Sequence, residues 1–147
     1  MIQSLVKDRT GYIILGDTNN ENRFSVDLIK KVDGSVKNFG NDRNIDAIVI
    51  KSSLGYFSKG IAVKNLEKFN QTEAKIYSET GQDLISTIRK VKKPVIAVVN
   101  GEVLSGAFEM VLACDMIFAS EDSCFGFPEV NFGTIPGFGG LQLLGRK

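Results

Sequence analysis

Residues 94–115 read PVIAVVNGEVLSGAFEMVLACD, and the order of residue types in this stretch decides the architecture. The apolar run from Val95 to Val99 suits a buried strand. Asn100-Gly101 marks a turn, and Ser105-Gly106-Ala107 stands just ahead of a helical pattern. The predicted order is therefore strand, small-residue loop, helix. A nearly bare backbone at Gly106 lets a ligand approach its N–H closely, and the start of the following helix adds unpaired N–H donors and a positive dipole end. Such a place stabilises an oxyanion. Glu109 falls within one turn of that helix start, so a carboxylate and an oxyanion donor share one place.

Composition sets the limits on what else the chain does. With 147 residues, 43% of them hydrophobic and 24% charged, the chain is long enough for one core and reads as one domain, 1–147. A net charge of +1 gives no reason to expect a nucleic-acid or acidic-membrane partner. The apolar runs are too short to span a bilayer and Met1-Ile2-Gln3 opens no secretory signal, so a cytoplasmic protein is expected. Cys114 and Cys124 form no C-x-x-C pair and are expected to be small buried apolar residues. The chain has no histidine. That removes Ser-His-Asp and Cys-His nucleophile systems and the common His-containing zinc sites, leaving acid/base chemistry to carboxylates, Lys or Tyr; no metal ligand set is proposed.

Taken from the N-terminus, Ile2–Val6 and Tyr12–Leu15 are two short strands around Asp8-Arg9-Thr10-Gly11, a hairpin, and Gly16 to Arg23 is a polar loop. Ser25 is the expected N-cap of a helix with Leu28, Ile29, Val32, Val36 and Phe39 on one face. Gly34 weakens it and Gly40 is placed to end it. Residues 46–51 have the apolar centre of an interior strand covered on both faces. A second helix is expected from near Thr72 with Ile76, Leu84, Ile85, Ile88 and Val91 on its buried stripe, loosened at Gly81 and ended before Pro94. Met116–Ala119 makes a further short strand. This alternation predicts an α/β domain whose strand ends carry ligand loops. The part from Phe125 to Gly140 is rich in Gly, Pro and Phe and reads as a shaped loop without a regular element.

That loop carries a second carboxylate, Glu129, after Pro128. Phe125, Phe127 and Phe132 are expected to dry its surroundings, although Phe127, Phe132 and Phe138 read first as packing residues. Drying favours the neutral carboxyl that a proton donor needs. Two glutamates with an oxyanion hole between them can add or remove water next to a carbonyl. Taken singly, Glu109 and Glu129 read as solvated charges and Gly106 as close packing, and spacing alone does not bring them together.

The text from Lys93 to Asp115, then Phe125-Gly-Phe-Pro-Glu129 and Gly133-Thr-Ile-Pro-Gly-Phe-Gly-Gly140, resembles the enoyl-CoA hydratase/isomerase (crotonase) superfamily. The resemblance implies the α/β ClpP/crotonase fold, a core of ββα repeats. It also implies an enoyl-CoA hydratase-type lyase that adds water reversibly to a trans-2-enoyl-CoA. Carried over position by position, Gly106 resembles the residue giving one oxyanion N–H, Glu109 the glutamate that holds and activates water, and Glu129 the glutamate that exchanges a proton with the acyl chain. Upstream, Phe57-Ser-Lys-Gly-Ile-Ala-Val63 is similar to the loop that supplies the other oxyanion N–H, here Ile61. At that position a β-branched Ile replaces the family's small residue, and Ala62 replaces its usual acid. Lys59, Gly60, Phe132 and Gly137 are the implied substrate-binding residues. Lys59 would meet a CoA phosphate, its plainer reading being an exposed lysine with no partner.

Coenzyme A enters only as part of the substrate, and no metal or redox cofactor is implied. Other readings of the same residues are an enoyl-CoA isomerase and a non-catalytic crotonase-like module that binds an acyl-CoA or a protein. Family members continue past Leu144 with helices that close over CoA and build a trimer or hexamer. The chain is read as lacking that C-terminal helical segment and is expected to be the N-terminal part of a longer protein. A homo-oligomer is expected where the segment is present.

Overall fold

The computed structural model describes residues 2–61 and 68–146. Ala62 and Val63 lie outside them. The chain opens with an antiparallel hairpin of β1 (Ile2–Lys7) and β2 (Thr10–Leu15), paired from Ile2↔Leu15 to Lys7↔Thr10. Asp8 and Arg9 close it with φ of 48° and 60°, a two-residue turn whose twist matches that of the strands. α1 (Val26–Asn41) starts at Ser25, whose side chain accepts the Leu28 N–H, and buries Leu28, Ile29, Val32 and Val36. It runs through Gly34 and past Gly40 to Asn41. One predicted glycine stop is therefore displaced by a residue.

β3 (Ala47–Ser52), β4 (Val95–Val99) and β6 (Met116–Ala119) continue the sheet in parallel, giving the order β1-β2-β3-β4-β6. Ile48, Val49 and Ile50 are all buried, so β3 is covered on both faces, as its unbroken apolar centre implies. Beyond it the cover thins, and Val98 with its register partner Phe118 is exposed. The crossover between β3 and β4 contains α2 (Gln71–Lys90), started by a capping box in which Asn70 and Glu73 exchange side-chain-to-backbone bonds. Leu84, Ile85 and Ile88 are buried as expected. Ile76, 45% exposed, is not on the stripe. Gly81 does not loosen the helix either: a Cβ there would lie 2.1 Å from a Phe138 ring carbon, so it is a point of close packing.

After β4 the chain turns at Asn100-Gly101 into β5 (Glu102–Leu104), a strand that the sequence pattern does not separate from the small-residue loop. α3 (Gly106–Ala113) follows and is buried along its whole length. β7 (Cys124–Gly126) pairs in parallel with β5 as a separate two-stranded sheet. The shaped loop is thus less irregular than its composition suggests. It begins in β7, forms a 3₁₀ turn over Pro128–Phe132 and ends in the short α4 (Gly140–Leu144). A three-residue strand has too few positions to show a period, which is why β5 and β7 escape the sequence. Cys114 is buried, but Cys124 is exposed at the start of β7, contrary to the expectation for both. No helix of the described residues is long and apolar enough to cross a membrane.

Candidate active site

Four segments far apart in sequence enclose a cavity of about 320 Å³. The loop after β3 contributes Ile61, and α2 contributes Ala74, Tyr77 and Ser78. Ser105, Gly106 and Glu109 come from the start of α3, and Glu129, Gly137 and Phe138 from the loop after β7. Ile61, Gly106, Glu109, Glu129 and Gly137, five of the positions singled out by sequence, therefore line the same cavity. Lys59, Gly60 and Phe132 are not on it.

Gly60 shows how two of these segments meet. It has φ of +71°, and a Cβ on it would stand 2.6 Å from Ser105 Cβ and 2.8 Å from the Leu104 carbonyl oxygen. Only glycine tolerates both the backbone conformation and the closeness. The loop ending in Ile61 is thereby pressed against the one beginning at Ser105. Gly60 N–H donates to Ser58 Oγ at 3.1 Å, and its carbonyl accepts the Phe24 N–H at 3.0 Å. Gly60 is thus a packing residue. Lys59 has a partner after all: its Nζ pairs with Glu102 and lies 5.3 Å from the centre of the Tyr56 ring. Phe132 is 44% exposed and Phe125 is also exposed, and neither lines the cavity.

Residues the sequence reading passed over hold this loop from behind. Asn22 is 1% exposed, and its Nδ2 donates to Ser52 Oγ at 3.1 Å and to the Phe57 carbonyl at 3.0 Å. Its Oδ1 accepts the Asp17 N–H at 2.7 Å, and its carbonyl accepts Ser58 Oγ–H at 2.7 Å. Arg23 Nη1 donates to the carbonyls of Lys59 at 2.7 Å and Ile61 at 3.3 Å. The signal available was an asparagine, a residue that tolerates the left-handed backbone seen here at φ 51°, in a polar loop just before Phe24.

Ser105, which the sequence marks only as a small loop residue, has a larger part. It stands at φ 58° and ψ −137°, a backbone state that costs a side-chain-bearing residue about 1–3 kcal/mol. Its N–H donates to the Gly126 carbonyl at 2.9 Å, and its own carbonyl accepts the Glu109 N–H at 3.1 Å. These bonds hold the turn from which Gly106 opens α3. Ser105 Oγ bonds Glu129 Oε1. Glu129 is 6% exposed, and its Oε2 is buried with no hydrogen-bond partner among the described residues.

Glu109 is 1% exposed, and the glycine-rich loop closes on it. The N–H groups of Phe138 and Gly140 donate to its Oε2 at 2.9 Å and 2.6 Å. Burial outweighs these bonds, and with the charge of nearby Glu129 it pushes the Glu109 carboxyl from 4.5 up to about 7. A carboxyl placed there exchanges protons readily at neutral pH. The site thus presents two buried carboxyl groups, one poised near neutrality, beside the start of a buried helix.

A model of the family described as enoyl-CoA hydratase/isomerase matches residues 7–147. The chain belongs to the enoyl-CoA hydratase/isomerase family. It is 37% identical over 143 residues to a Dictyostelium discoideum protein named "Probable enoyl-CoA hydratase, mitochondrial", covering 95% of this chain and 50% of that protein. It is 29% identical to the short-chain-enoyl-CoA hydratase of Clostridium acetobutylicum, covering 99% of this chain and 57% of the relative. The crotonase fold is shared with a Legionella pneumophila protein described as an enoyl CoA hydratase/isomerase (crotonase). There the TM-score is 0.93 at 26% identity, covering 99% of this chain and 57% of the other. The chain spans about half the length of the relatives it matches.

Proposed function

We propose that the cavity is an enoyl-CoA hydratase-type site that adds water reversibly across the C2–C3 double bond of a trans-2-enoyl-CoA. The observation that carries this reading is the meeting of Glu109, Glu129, Gly106 and Ile61 on one cavity, with both glutamates almost wholly buried. In the proposed reaction the N–H groups of Ile61 and Gly106 take the thioester oxygen. As the oxygen of water bonds to C3, its proton passes to Glu109. The electron pair of the C2–C3 π bond moves towards the thioester, whose oxygen gathers negative charge between the two N–H groups. The proton on Glu109 then passes through the site to Glu129, which delivers it to C2, so both carboxyls begin and end the cycle ionised. Water, the two carboxyls and the substrate supply every proton and electron, so the scheme calls for no cofactor beyond the CoA of the substrate. Position 61 uses only the main chain, so a β-branched side chain there narrows the acyl channel without removing the donor.

The test is the loss of the conjugated enoyl-thioester absorbance when the protein meets crotonyl-CoA. Bleaching that falls by at least a hundredfold in Glu129→Gln is the expected outcome. No bleaching, or bleaching indifferent to Glu129→Gln, refutes the proposal. A 3-enoyl-CoA that rearranges without uptake of water would mark an isomerase instead. Acyl-CoA binding without turnover at any chain length would mark a binding module.

A further inference from the structure

Tyr77 takes no part in the scheme above, yet its side chain is fixed in the same cavity. Its ring centroid lies 5.1 Å from that of Phe138 and 5.7 Å from that of Phe69. The ring thus cannot swing away without breaking both contacts. Its hydroxyl is buried and, like Glu129 Oε2, has no hydrogen-bond partner among the described residues. Both residues line the cavity together with Glu109. An unpaired buried polar atom is penalised, and a phenylalanine at 77 would keep both ring contacts without that penalty. The hydroxyl therefore calls for an explanation outside packing.

Its chemistry narrows the explanation. Burial and the two nearby carboxyl groups push the Tyr77 hydroxyl well above its ordinary value, so at neutral pH it is a proton-bearing donor. Glu129 Oε2 is an acceptor. A ligand group that satisfies both must accept one hydrogen bond and donate another, which is what a hydroxyl or a water does and what a methylene does not.

We propose that Tyr77 is a specificity-determining residue that, together with Glu129, recognises an oxygen on C3 of the acyl chain: the hydroxyl of a 3-hydroxyacyl thioester, or the water that becomes it. The placement at C3 rests on the reading of this cavity as a hydratase site. Phe138 supports the geometry, because its ring also fills the space a Cβ on Gly106 would need, only 2.4 Å away. Gly81, one turn on from Tyr77, meets the Cδ1–Cε1 edge of that ring and Gly106 the Cδ2–Cε2 edge, so α2 and the start of α3 are set against opposite edges of it.

Calorimetric titration with 3-hydroxybutyryl-CoA and with butyryl-CoA, on the wild-type protein and on Tyr77→Phe, tests the assignment. The wild type should prefer the hydroxylated ligand, and Tyr77→Phe should lower that preference roughly tenfold while leaving butyryl-CoA affinity within about twofold. The thermal midpoint of Tyr77→Phe should equal or exceed that of the wild type, an outcome a merely structural tyrosine would not give. A wild type without preference, an unchanged ratio, or equal loss for both ligands overturns the assignment. Crotonyl-CoA turnover by the wild type is scored separately. A preference lost in Tyr77→Phe without turnover keeps Tyr77 and removes the hydratase reading, and turnover with an unchanged ratio does the reverse.

Discussion

Glu109→Gln should stabilise the protein increasingly as pH rises, because the wild type must ionise a carboxyl that its surroundings disfavour. The folded carboxyl titrates at about 7 against an ordinary 4.5. Below pH 4.5 the group is protonated in folded and unfolded chains alike and costs nothing. Between 4.5 and 7 the unfolded chain releases the proton while the folded one keeps it, so wild-type stability falls with rising pH, and above 7 the full penalty is present. At about 1.36 kcal/mol per pH unit the gap is worth roughly 3 kcal/mol, most of which develops between pH 5 and pH 8. Glutamine keeps an oxygen for the Phe138 and Gly140 N–H groups and never ionises. Urea unfolding followed by far-ultraviolet circular dichroism at pH 5, 6, 7 and 8 measures the effect. The difference between variant and wild type cancels groups common to both. It should widen by on the order of 1 M in urea midpoint across that range. A difference that stays constant with pH, or narrows, refutes the argument that burial dominates at Glu109. The same variant should lose hydration activity, so the charge would be a stability cost retained for chemistry.

Two further outcomes follow from packing and from the support of the Ile61 loop. Gly81→Ala adds a Cβ that would sit 2.1 Å from the Phe138 ring. It should therefore lose about 1–3 kcal/mol in denaturant titration even though alanine favours helix. The loss should shrink when Phe138→Leu is added, as a double-mutant cycle would read. Asn22→Ala should lose roughly 3 kcal/mol or more, by leaving the buried Phe57 carbonyl unpaired, by removing one of the two N–H groups that donate to Ser52 Oγ, and by placing alanine at φ 51°. Asn22→Gly relieves the backbone part only, so its thermal midpoint should fall between those of Asn22→Ala and the wild type.

The stretch from residue 94 to 115 was legible because its signals are local. An apolar run becomes β4, a turn dipeptide follows, and a buried α3 carries Glu109. The same holds for Ser25 at the start of α1 and for the Leu84, Ile85 and Ile88 stripe of α2. What stayed hidden depends on partners remote in sequence. Lys59 looks like a free cation until Glu102 is placed beside it. Asn22 looks like loop polarity until Ser52 and Phe57 surround it, and Gly81 looks like a weak point in a helix until Phe138 covers it. The mistaken inward placement of Ile76 has a related cause. Helical period identifies a face, but the first half of α2 packs through Tyr77 and Ser78 on the loop residues Phe69, Phe138 and Gly137, which no period describes.

Phe138 explains why the glycine-rich loop belongs to the site. Its ring fills the space that side chains would need at both Gly81 of α2 and Gly106 of α3, and it packs against Tyr77. Its backbone N–H meanwhile donates to Glu109. Ser78 Oγ and Gln82 Nε2 hold the preceding carbonyl, that of Gly137, at 2.9 Å each. The loop is therefore tied to α2 by side chains and to α3 by the carboxylate it solvates. Undocking it would expose Glu109 to water, and with burial removed the carboxyl would return towards the ordinary range. The near-neutral carboxyl and the exclusion of water are thus two consequences of one packing event, and any substitution that frees Phe138 should weaken both together.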